Sequence, residues 1–464
     1  MRYVSTRGDA PDLEFEDVLL TGLARDGGLY VPEVWPSFNK AEFEAFIDLD
    51  YSALAARVMA PFIGDALPAD IYKTLVDDTY REFDHPDVAP LNQIGEDEWV
   101  LELFHGPTLA FKDFALQLLG RLFDYALARR GERRTVVVAT SGDTGSAAIE
   151  AFRDKENLDI FVLHPAGRVS EVQRRQMTTV MSDNVRNIAI EGSFDDCQAL
   201  VKAMFNDLEF RDNMGLSAVN SINWARVMAQ TVYYIKAATA LGCAGKPIAF
   251  SVPTGNFGDV YAGYVARCTG LAISQLVVAT NRNDILARVL SAGEYRIGEV
   301  EPTMSPSMDI QVASNFERLL FEIHGRDGGA VKELMAGLQS NGAFRLGEDA
   351  LEKARQVFDA RRVDEDETLA TIASVYRDSG AVIDPHTAVG VAAGRACRRD
   401  PGHPMVMLAT AHPAKFPDAI TKAIGVVPEL PPGLADLPKR PERYDTLAAD
   451  LDAIKAYIVS NKAH

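Results

Sequence analysis

The stretch "RTVVVATSGDTGSAAIEAFRDK", Arg134–Lys155, decides the fold class of this chain. Its first half is a run of β-branched residues. Its second half is a small and apolar helical pattern, with Gly142 and Gly145 near the junction. An apolar strand that leads directly into a helix is half of a βαβ crossover, the connection that parallel sheets require. The stretch therefore predicts an α/β protein with parallel strands.

The same alternation of strand and helix continues along the chain. Further apolar runs precede amphipathic helical segments, namely "DIFVLHP", "VRNIAIEG", "LSAVN" and "KPIAFSVP", and "SQLVVAT" follows the last of these units. More than five units predict two adjacent α/β sheets. A cleft between two such sheets is a common place for a small ligand.

Changes in pattern divide the chain into four predicted segments. Residues 1–95 are expected to be mostly helical, residues 96–240 and 241–427 to form two α/β domains, and residues 428–464 to form a Pro-rich tail with a last helix. The acidic run Asp364–Glu367 predicts the start of a helix, because carboxylates stabilise helix N-termini.

The composition excludes several classes of partner. The 464 residues carry a formal net charge of −19, which argues against nucleic acid or an anionic membrane surface as the main partner. The four cysteines form no Cys-x-x-Cys pair, no apolar run has membrane-spanning length, and no His or Cys spacing indicates a metal site. We therefore expect a soluble, cytoplasmic protein with reduced thiols and no secretion signal.

Three strand-to-helix junctions carry residues that suit an anion. They are "ATSGDTGSAA" (residues 139–148), "AVNSINWARV" (218–227) and "VPTGNFGDVYAG" (252–263). Glycines, hydroxyls and amides at helix N-termini favour a phosphate group. Gly-rich turns also commonly connect strands to helices without binding a ligand, and "NSIN" is also an ordinary helix cap. Three such junctions at one edge of parallel sheets favour the functional interpretation.

Two nucleotide-binding motifs are absent from the sequence, which argues against NAD and ATP as the phosphate ligand. The chain has neither the dinucleotide motif G-x-G-x-x-G nor the nucleotide motif G-x-x-x-x-G-K-[ST]. A smaller phosphorylated cofactor together with a phosphorylated substrate would also use two anion sites. Lys112, in "HGPTLAFKDFALQLLG", lies in a mostly apolar setting. Considered without the rest of the chain, this segment favours an ordinary structural interpretation, in which the aliphatic part of the Lys112 side chain covers apolar surface and its ammonium group reaches water.

Taken with the phosphate loops, Lys112 indicates a particular cofactor. Desolvation lowers the pKa of a lysine amine and makes it a nucleophile. A cofactor with a phosphate handle and a carbonyl uses such an amine, which describes pyridoxal 5′-phosphate (PLP) held as a Schiff base.

A set of motifs along nearly the whole chain carries a family resemblance. The motifs are "YVSTRG", "DGGLYVP", "HGPTLAFKDFA", "SGDTGSAA", "FDDCQALV", "NSINWAR", "PTGNFGD", "DPHTAVG" and "TAHPAKFP". In this order the set closely resembles the threonine synthases, which are fold-type II PLP enzymes related to the tryptophan synthase β-subunit. The resemblance implies two parallel-sheet α/β domains with the cofactor in the cleft between them, and a mostly helical N-terminal region.

The resemblance implies cofactor contacts at eight positions: Lys112, Asp143, Gly255, Asn256, Phe257, Gly258, Asp259 and Thr410. Lys112 would be the catalytic lysine, forming the Schiff base and shuttling protons once its amine is freed. The run from Gly255 to Asp259 would bind the cofactor phosphate, and Thr410 would hydrogen-bond the pyridine nitrogen. Asp143 would lie near the 3′-oxygen, where related enzymes often carry Asn.

Five further positions are implied as substrate contacts: Ser141, Thr144, Asn220, Ser221 and Arg226. The last three would hold a substrate phosphate. His105, His386 and His412 lie in motif stretches and are interpreted as residues that orient loops. His412 and Lys415 lie near Thr410, and of the residues outside the contact set they are the ones expected to support the contacting side chains.

The implied reaction converts O-phospho-L-homoserine and water to L-threonine and phosphate, the last step of threonine biosynthesis. A PLP-dependent serine or threonine dehydratase, or a β-replacing synthase, is a competing hypothesis. Those enzymes need no grip on a substrate phosphate, so Arg226 argues against them. A homologue that binds PLP without turnover and a phosphate sensor without cofactor are two further hypotheses. A monomer and a homodimer both stay open.

Overall fold

The N-terminal region combines a small antiparallel sheet with four helices, in a computed structural model that describes residues 1–462. Its elements are β1 (Arg2–Ser5), β2 (Leu13–Glu14), α1 (Phe15–Thr21), β3 (Tyr30–Pro32), α2 (Lys40–Phe46), α3 (Tyr51–Ile63) and α4 (Ala69–Tyr80). The strand order is β2-β1-β3. Helix α3 packs against the long helix at residues 224–240, and the Phe62 and Trp224 rings lie 5.8 Å apart.

Residues 91–240 contain four of the five strands of one parallel sheet, together with the helices that connect them. Its elements are β4 (Leu91–Gly95), β5 (Glu98–Glu102), α5 (Asp113–Arg130), β6 (Arg134–Ala139), α6 (Asp143–Phe152), β7 (Leu158–Pro165), α7 (Glu171–Thr178), β8 (Val185–Glu191), α8 (Phe194–Asn206), α9 (Leu208–Met214), β9 (Leu216–Ser217) and α10 (Trp224–Ala240). Helix α5 ends at Gly131, whose left-handed backbone (φ 65°) forms the cap.

The remaining stretch carries the other elements. They are β10 (Ile248–Pro253), α11 (Gly258–Cys268), β11 (Ile273–Thr280), α12 (Ile285–Ala292), β12 (Glu294–Arg296), α13 (Phe316–Ile323), α14 (Gly328–Asn341), β13 (Ala343–Arg345), α15 (Glu348–Val357), β14 (Phe358–Arg362), α16 (Glu365–Ser379), α17 (Pro385–Cys397), β15 (Met405–Ala409), α18 (Pro417–Ile424), β16 (Asp445–Ala448) and α19 (Leu451–Asn461). Asp364 caps α16 by accepting the Glu367 amide, which confirms that the acidic run begins a helix.

Two sheets form the body of the molecule, as the alternating pattern predicts. The five-stranded sheet has the order β16-β8-β7-β6-β9 and is parallel throughout. The six-stranded sheet has the order β14-β11-β10-β15-β5-β4, and only its edge strand β4 is antiparallel. Every residue of β7 and β10 is buried, because helices cover both faces of the sheets.

Strand pairing crosses two of the predicted segment limits. Strand β5 lies within the predicted 96–240 segment, yet it pairs with β15 in the six-stranded sheet. Strand β16 lies in the predicted tail, yet it pairs with β8 and closes one edge of the five-stranded sheet. The reason is that a parallel strand needs only an open sheet edge, and the edge is supplied by a distant part of the chain. The three limits between the four segments stay a prediction.

The buried hydrophobic residues form a core of three clusters. Its largest cluster joins the N-terminal region to α5, α10 and α11, and it contains Phe114, Trp224 and Tyr233, each fully buried. Separate clusters lie under α16 and α17 and under α8 and α19. Over residues 1–462, every helix is too short or too polar to cross a membrane.

Candidate active site

Lys112 lies at the point where three elements meet. It precedes the first residue of α5, and the neighbouring Phe111 amide donates to the Thr410 carbonyl at 2.9 Å. Ala110 and Ala411 form an isolated antiparallel bridge. These bonds place Lys112 beside the carboxyl ends of β5 and β15, which is the edge where parallel sheets bind ligands. The residue is only 9% exposed.

Asp143, the first residue of α6, accepts hydrogen bonds from four different segments. Oδ1 accepts from Lys415 Nζ at 2.6 Å and from Gln173 Nε2 at 2.8 Å. Oδ2 accepts from Lys112 Nζ at 3.4 Å and from Ser307 Oγ at 3.3 Å. Each carboxylate oxygen therefore serves one lysine and one neutral donor. We call Lys112, Asp143 and Lys415 the lysine bridge.

The charges of the lysine bridge act on its members in opposite directions. Burial lowers the pKa of Lys112 against the opposing charge of Asp143, and the positive charges of Lys415 and Arg226 lower it further. Burial alone would raise the pKa of Asp143, but Lys415 and Lys112 hold it well below its usual range. The arrangement therefore favours an ionised Asp143 and an amine at Lys112 that loses its proton more readily than an ordinary lysine.

Arg226 is a buried cation in the first turn of α10. It is 4% exposed, its Nη1 donates to the Val219 carbonyl at 3.5 Å, and its Nε has no hydrogen-bond partner within residues 1–462. Burial lowers its pKa to about 10, so it stays charged at neutral pH. A buried guanidinium with a free donor is costly unless an anion meets it. Arg226 is thus suited to bind an anionic ligand.

The loop between β10 and α11 has the geometry of a phosphate cradle. Phe257 has φ 65°, a conformation that is strained for a bulky residue and that commonly marks a ligand-binding turn. A Cβ added at Gly255 would lie 2.8 Å from the Ser307 carbonyl oxygen, so only glycine fits. The amides of the first turn of α11 have no partners within the helix and carry its positive dipole end.

Asn315 holds the two anion-binding loops together. Its amide nitrogen donates to the Asn256 carbonyl at 3.0 Å, and its Nδ2 donates to the Ser221 carbonyl at 3.0 Å. Arg318 in turn donates to Asn315 Oδ1. The loop that begins with Gly255 and the loop that carries Ser221 are therefore neighbours, although they follow strands of different sheets, β10 and β9.

Asp259 does not direct its carboxylate toward the cradle. Its Oδ1 accepts from Tyr233 at 2.5 Å and from Tyr234 at 2.9 Å, inside the core between α10 and α11. Burial raises its pKa to about 7 in spite of these two bonds. Only its backbone amide, in the first turn of α11, is suited to a phosphate.

The remaining predicted residues surround the lysine bridge. Ser141 and Thr144 flank Asp143 at the start of α6 and are half-buried. Ser221 is half-buried, whereas Asn220 is exposed, with its Oδ1 accepting the Ile222 amide at 3.4 Å. Thr410 is 6% exposed and follows β15 directly.

Sequence reasoning missed three residues of the site. Gln173, Ser307 and Asn315 contact predicted site residues, and none lies in a motif that singles it out. Ser307 belongs to the irregular segment before α13, and the lack of periodicity there was its only signal. Lys415 had a clearer signal, because it is a second lysine in a mostly apolar stretch, "TAHPAKFP".

The histidines make contacts of the kind that orient loops. His386 Nε2 accepts the Ser307 amide at 3.2 Å, and its Nδ1 bonds Asp384 Oδ2 at 2.6 Å. His105 Nε2 bonds Glu102 at 2.8 Å. Burial and the nearby charges of His105 and Lys415 lower the pKa of His412 to about 4, which leaves it neutral at physiological pH. Within residues 1–462, no three His, Cys, Asp or Glu side chains are placed to share a metal ion.

The site fits PLP by two observations in addition to Lys112. The glycine cradle at Gly255 and the free Nε of Arg226 provide places for two separate anions. A phosphorylated cofactor and a phosphorylated substrate need such a pair. Parallel α/β sheets with a buried amine at their carboxyl edge, flanked by these two loops, define a PLP-dependent enzyme of fold type II.

Comparison with known proteins gives the family. A family model described as "Pyridoxal-phosphate dependent enzyme" matches residues 87–334, and two described as "Threonine synthase N terminus" and "Threonine synthase, C-terminal" match residues 2–80 and 387–458. The threonine synthase of Pseudomonas aeruginosa is 58% identical over 459 residues, covering 99% of this chain and 98% of that protein. The chain belongs to the threonine synthase family of PLP-dependent lyases, and a dehydratase or β-replacing synthase is not favoured.

Solved structures agree with this assignment. The PLP-bound threonine synthase from Brucella melitensis superposes with a TM-score of 0.97 at 55% identity, over the full length of both chains. The yeast threonine synthase gives a TM-score of 0.93 at 40% identity, covering 99% of this chain and 98% of that one. The predicted family, fold class and cofactor are confirmed.

Proposed function

We propose that this enzyme converts O-phospho-L-homoserine and water to L-threonine and phosphate. The observation that carries the proposal is Arg226, a buried cation with a free Nε donor that lies close enough to Lys112 to lower its pKa. A substrate with its own phosphate supplies the anion that this guanidinium lacks. Ser221 and Asn220 on the same loop are the accompanying contacts.

The cofactor is held, in this proposal, by residues of three elements. The amides from Gly255 to Asp259 bind its phosphate, with the Phe257 turn setting their direction. Thr410 presents a hydroxyl to the pyridine nitrogen, and Asp143 lies near the 3′-oxygen. When bound, PLP would supply an aldehyde that forms a Schiff base with an amine, and an electron sink that stabilises negative charge on neighbouring carbons.

Lys112 is the proton carrier in this proposal. Once freed from the cofactor, its amine removes and returns protons at successive carbons of the substrate, and its lowered pKa makes it a proton acceptor more readily than an ordinary lysine. Ser141 and Thr144, on the turn before and within α6, orient the amino-acid end of the substrate. The burial of Lys112 and Arg226 keeps water away from the reacting carbons until the hydration step.

The first test is a phosphate-release assay with O-phospho-L-homoserine, with L-threonine measured in parallel. We expect wild type to form both products and Lys112→Ala to lose activity by at least about 10³-fold, because the nucleophile and proton carrier are gone. Arg226→Met is expected to lose about 10²-fold or more in kcat/KM for the phosphorylated substrate, since a charge-assisted contact is removed.

The control separates the substrate class from the cofactor chemistry. Arg226→Met should still become yellow with PLP, because Arg226 is assigned to the substrate and not to the cofactor. A wild type that binds PLP, ignores O-phospho-L-homoserine and deaminates serine or threonine would contradict the proposal and favour a dehydratase. We also propose a cytoplasmic location and a monomer or homodimer, which cell fractionation and light scattering would test.

A further inference from the structure

The lysine bridge contains a residue that the proposed chemistry does not use. We propose that Lys415 is a positioning residue for Lys112: it anchors Asp143 so that one carboxylate is shared between two ammonium groups, and Lys112 is left with an incomplete counter-ion. The inference rests on the proposed role of Lys112 as the reacting amine. It assigns to Lys415 a role in how readily that amine becomes a nucleophile.

The geometry of Lys415 supports anchoring rather than ligand contact. Its side chain is fully buried, and its Nζ bonds Asp143 Oδ1 at 2.6 Å and the Thr108 carbonyl at 2.8 Å. Thr108 is itself tied down, because its amide and hydroxyl both donate to Asp113, at 2.8 and 2.7 Å. Lys415 therefore connects Asp143 to the loop that precedes Lys112.

The hydrogen bonds of Asp143 explain why a carboxylate stands there. Its two oxygens meet four donors, from Lys415, Gln173, Lys112 and Ser307. An asparagine would place an NH₂ group against two of these donors, so one side of the site would be left without an acceptor. Two ammonium groups and one carboxylate leave a net positive charge in a buried space, which Lys112 relieves by losing a proton.

The charged groups facing the bridge are few. Lys112 is influenced by Asp143 from α6, by Lys415 from the turn at Pro413–Lys415, and by Arg226 from α10. Lys415 also acts on Asp113 and on His412. Arg226 is assigned to the substrate, so Lys415 is the cation that bears on Lys112 whether or not substrate is bound.

The test follows the reaction of Lys112 with PLP, which does not depend on the substrate. Apoenzyme is mixed with PLP from pH 6 to 9.5, and the rate at which the yellow band of the lysine-bound cofactor forms is plotted against pH. Free lysine is run in the same series to correct for the titration of PLP itself. The midpoint of the corrected profile reports the protonation of Lys112.

Four variants give expected shifts of different sign. Lys415→Gln keeps a donor but removes the charge, so the midpoint should rise by about one pH unit, with about tenfold slower band formation at pH 7. Asp143→Asn removes the counter-ion, so the midpoint should fall. The double variant should have its midpoint above that of Asp143→Asn, because it also lacks the Lys415 charge that lowers the pKa of Lys112. Lys422→Gln, on the exposed face of α18, should match wild type.

Each outcome bears on the proposal in a defined way. A Lys415→Gln profile that superimposes on wild type overturns it, even if turnover falls, since loss of turnover alone fits a structural role. If Lys415→Gln does not fold, Lys415→Met is used in its place. A midpoint that rises in Asp143→Asn would contradict the proposal that Asp143 is the counter-ion shared by Lys112 and Lys415. Failure of wild type to use O-phospho-L-homoserine overturns the proposed function and leaves this profile intact.

Discussion

Two buried aspartates stand at equivalent places in the two sheets and differ in charge. Asp143 is the first residue of α6 after β6, and Asp259 is the second residue of α11 after β10. Asp143 meets two lysines and its pKa is held well below the usual range, whereas Asp259 meets two tyrosine hydroxyls and burial raises its pKa to about 7. Both residues are buried in the first turn of a helix, so the charge of the partners decides the ionisation.

The two carboxylates also have different roles, one in the candidate site and one in the core. The carboxylate of Asp143 lies among groups that can bind a ligand, while that of Asp259 ties two core tyrosines to the start of α11. Sequence position alone makes both residues look like members of ligand loops. Substitutions at Asp143, at Asp259 and at the tyrosines around Asp259 should therefore change stability by different amounts and with different pH dependence.

The largest effect is expected for Asp143→Asn. Lys112 and Lys415 would lose their shared counter-ion inside the protein, and removing one partner of a buried ion pair costs about 3–5 kcal/mol. Asp259→Asn should cost only about 1 kcal/mol at pH 7, because a carboxyl that is half protonated resembles an amide. Urea unfolding of the two apoenzyme variants measures both. Equal losses would mean that burial, and not the partners, sets the contributions of the two residues.

The pH dependence of these losses should differ in sign. The folded-state pKa of Asp259 lies above its unfolded value of 3.8, so its contribution is complete below about pH 4 and is lost as pH rises through 7. The stability of wild type relative to Asp259→Asn should therefore fall by about 2–3 kcal/mol from pH 5 to pH 8.

Asp143 provides the matched control for that pH series. Its folded-state pKa lies below 3.8, so its contribution is present above that pH and is lost only in stronger acid. The Asp143 carboxylate itself should accordingly add no pH dependence between pH 5 and pH 8. Because Asp143→Asn also lowers the pKa of Lys112, the series compares Lys112→Met with Lys112→Met/Asp143→Asn, and this difference should stay level. A slope in this second series, or none in the first, would contradict the assigned ionisation states.

The smallest effect is expected for Tyr234→Phe. Loss of the hydroxyl that donates to the Asp259 carboxylate should lower the free energy of unfolding by about 1 kcal/mol. It should also raise the pH at which Asp259 ionises, because that hydrogen bond favours the ionised form. Tyr261→Phe is the matched control, since its buried hydroxyl has no partner within residues 1–462. The control should be neutral or slightly stabilising. If both variants behave alike, the bond to Asp259 contributes nothing.

Local sequence predicted what local chemistry determines. The valine run of β6 and the glycine loops at Gly142 and Gly255 are recognisable because strand propensity and backbone freedom belong to the residues themselves. Lys112 was found because a charge in an apolar stretch is conspicuous. The capping role of Asp364 follows from the same local rules.

What the sequence did not predict depends on distant partners. The antiparallel sheet of the N-terminal region is built from strands of two to four residues, too short to carry a pattern. The sequence of β5 is compatible with either sheet, and only its pairing with β15 assigns it to the six-stranded sheet. The 2.6 Å contact of Lys415 with Asp143 joins residues far apart in the chain, and no spacing encodes it.

The pairing of β16 with β8 has a consequence for how the chain is made. β8 ends at Glu191, and the strand that pairs with its outer edge, β16, begins at Asp445. During synthesis on the ribosome that edge stays open while more than half of the chain is still being added, and an open strand edge is a template for association between nascent chains. The sheet that carries Asp143 can thus be completed only after Asp445–Ala448 have been synthesised.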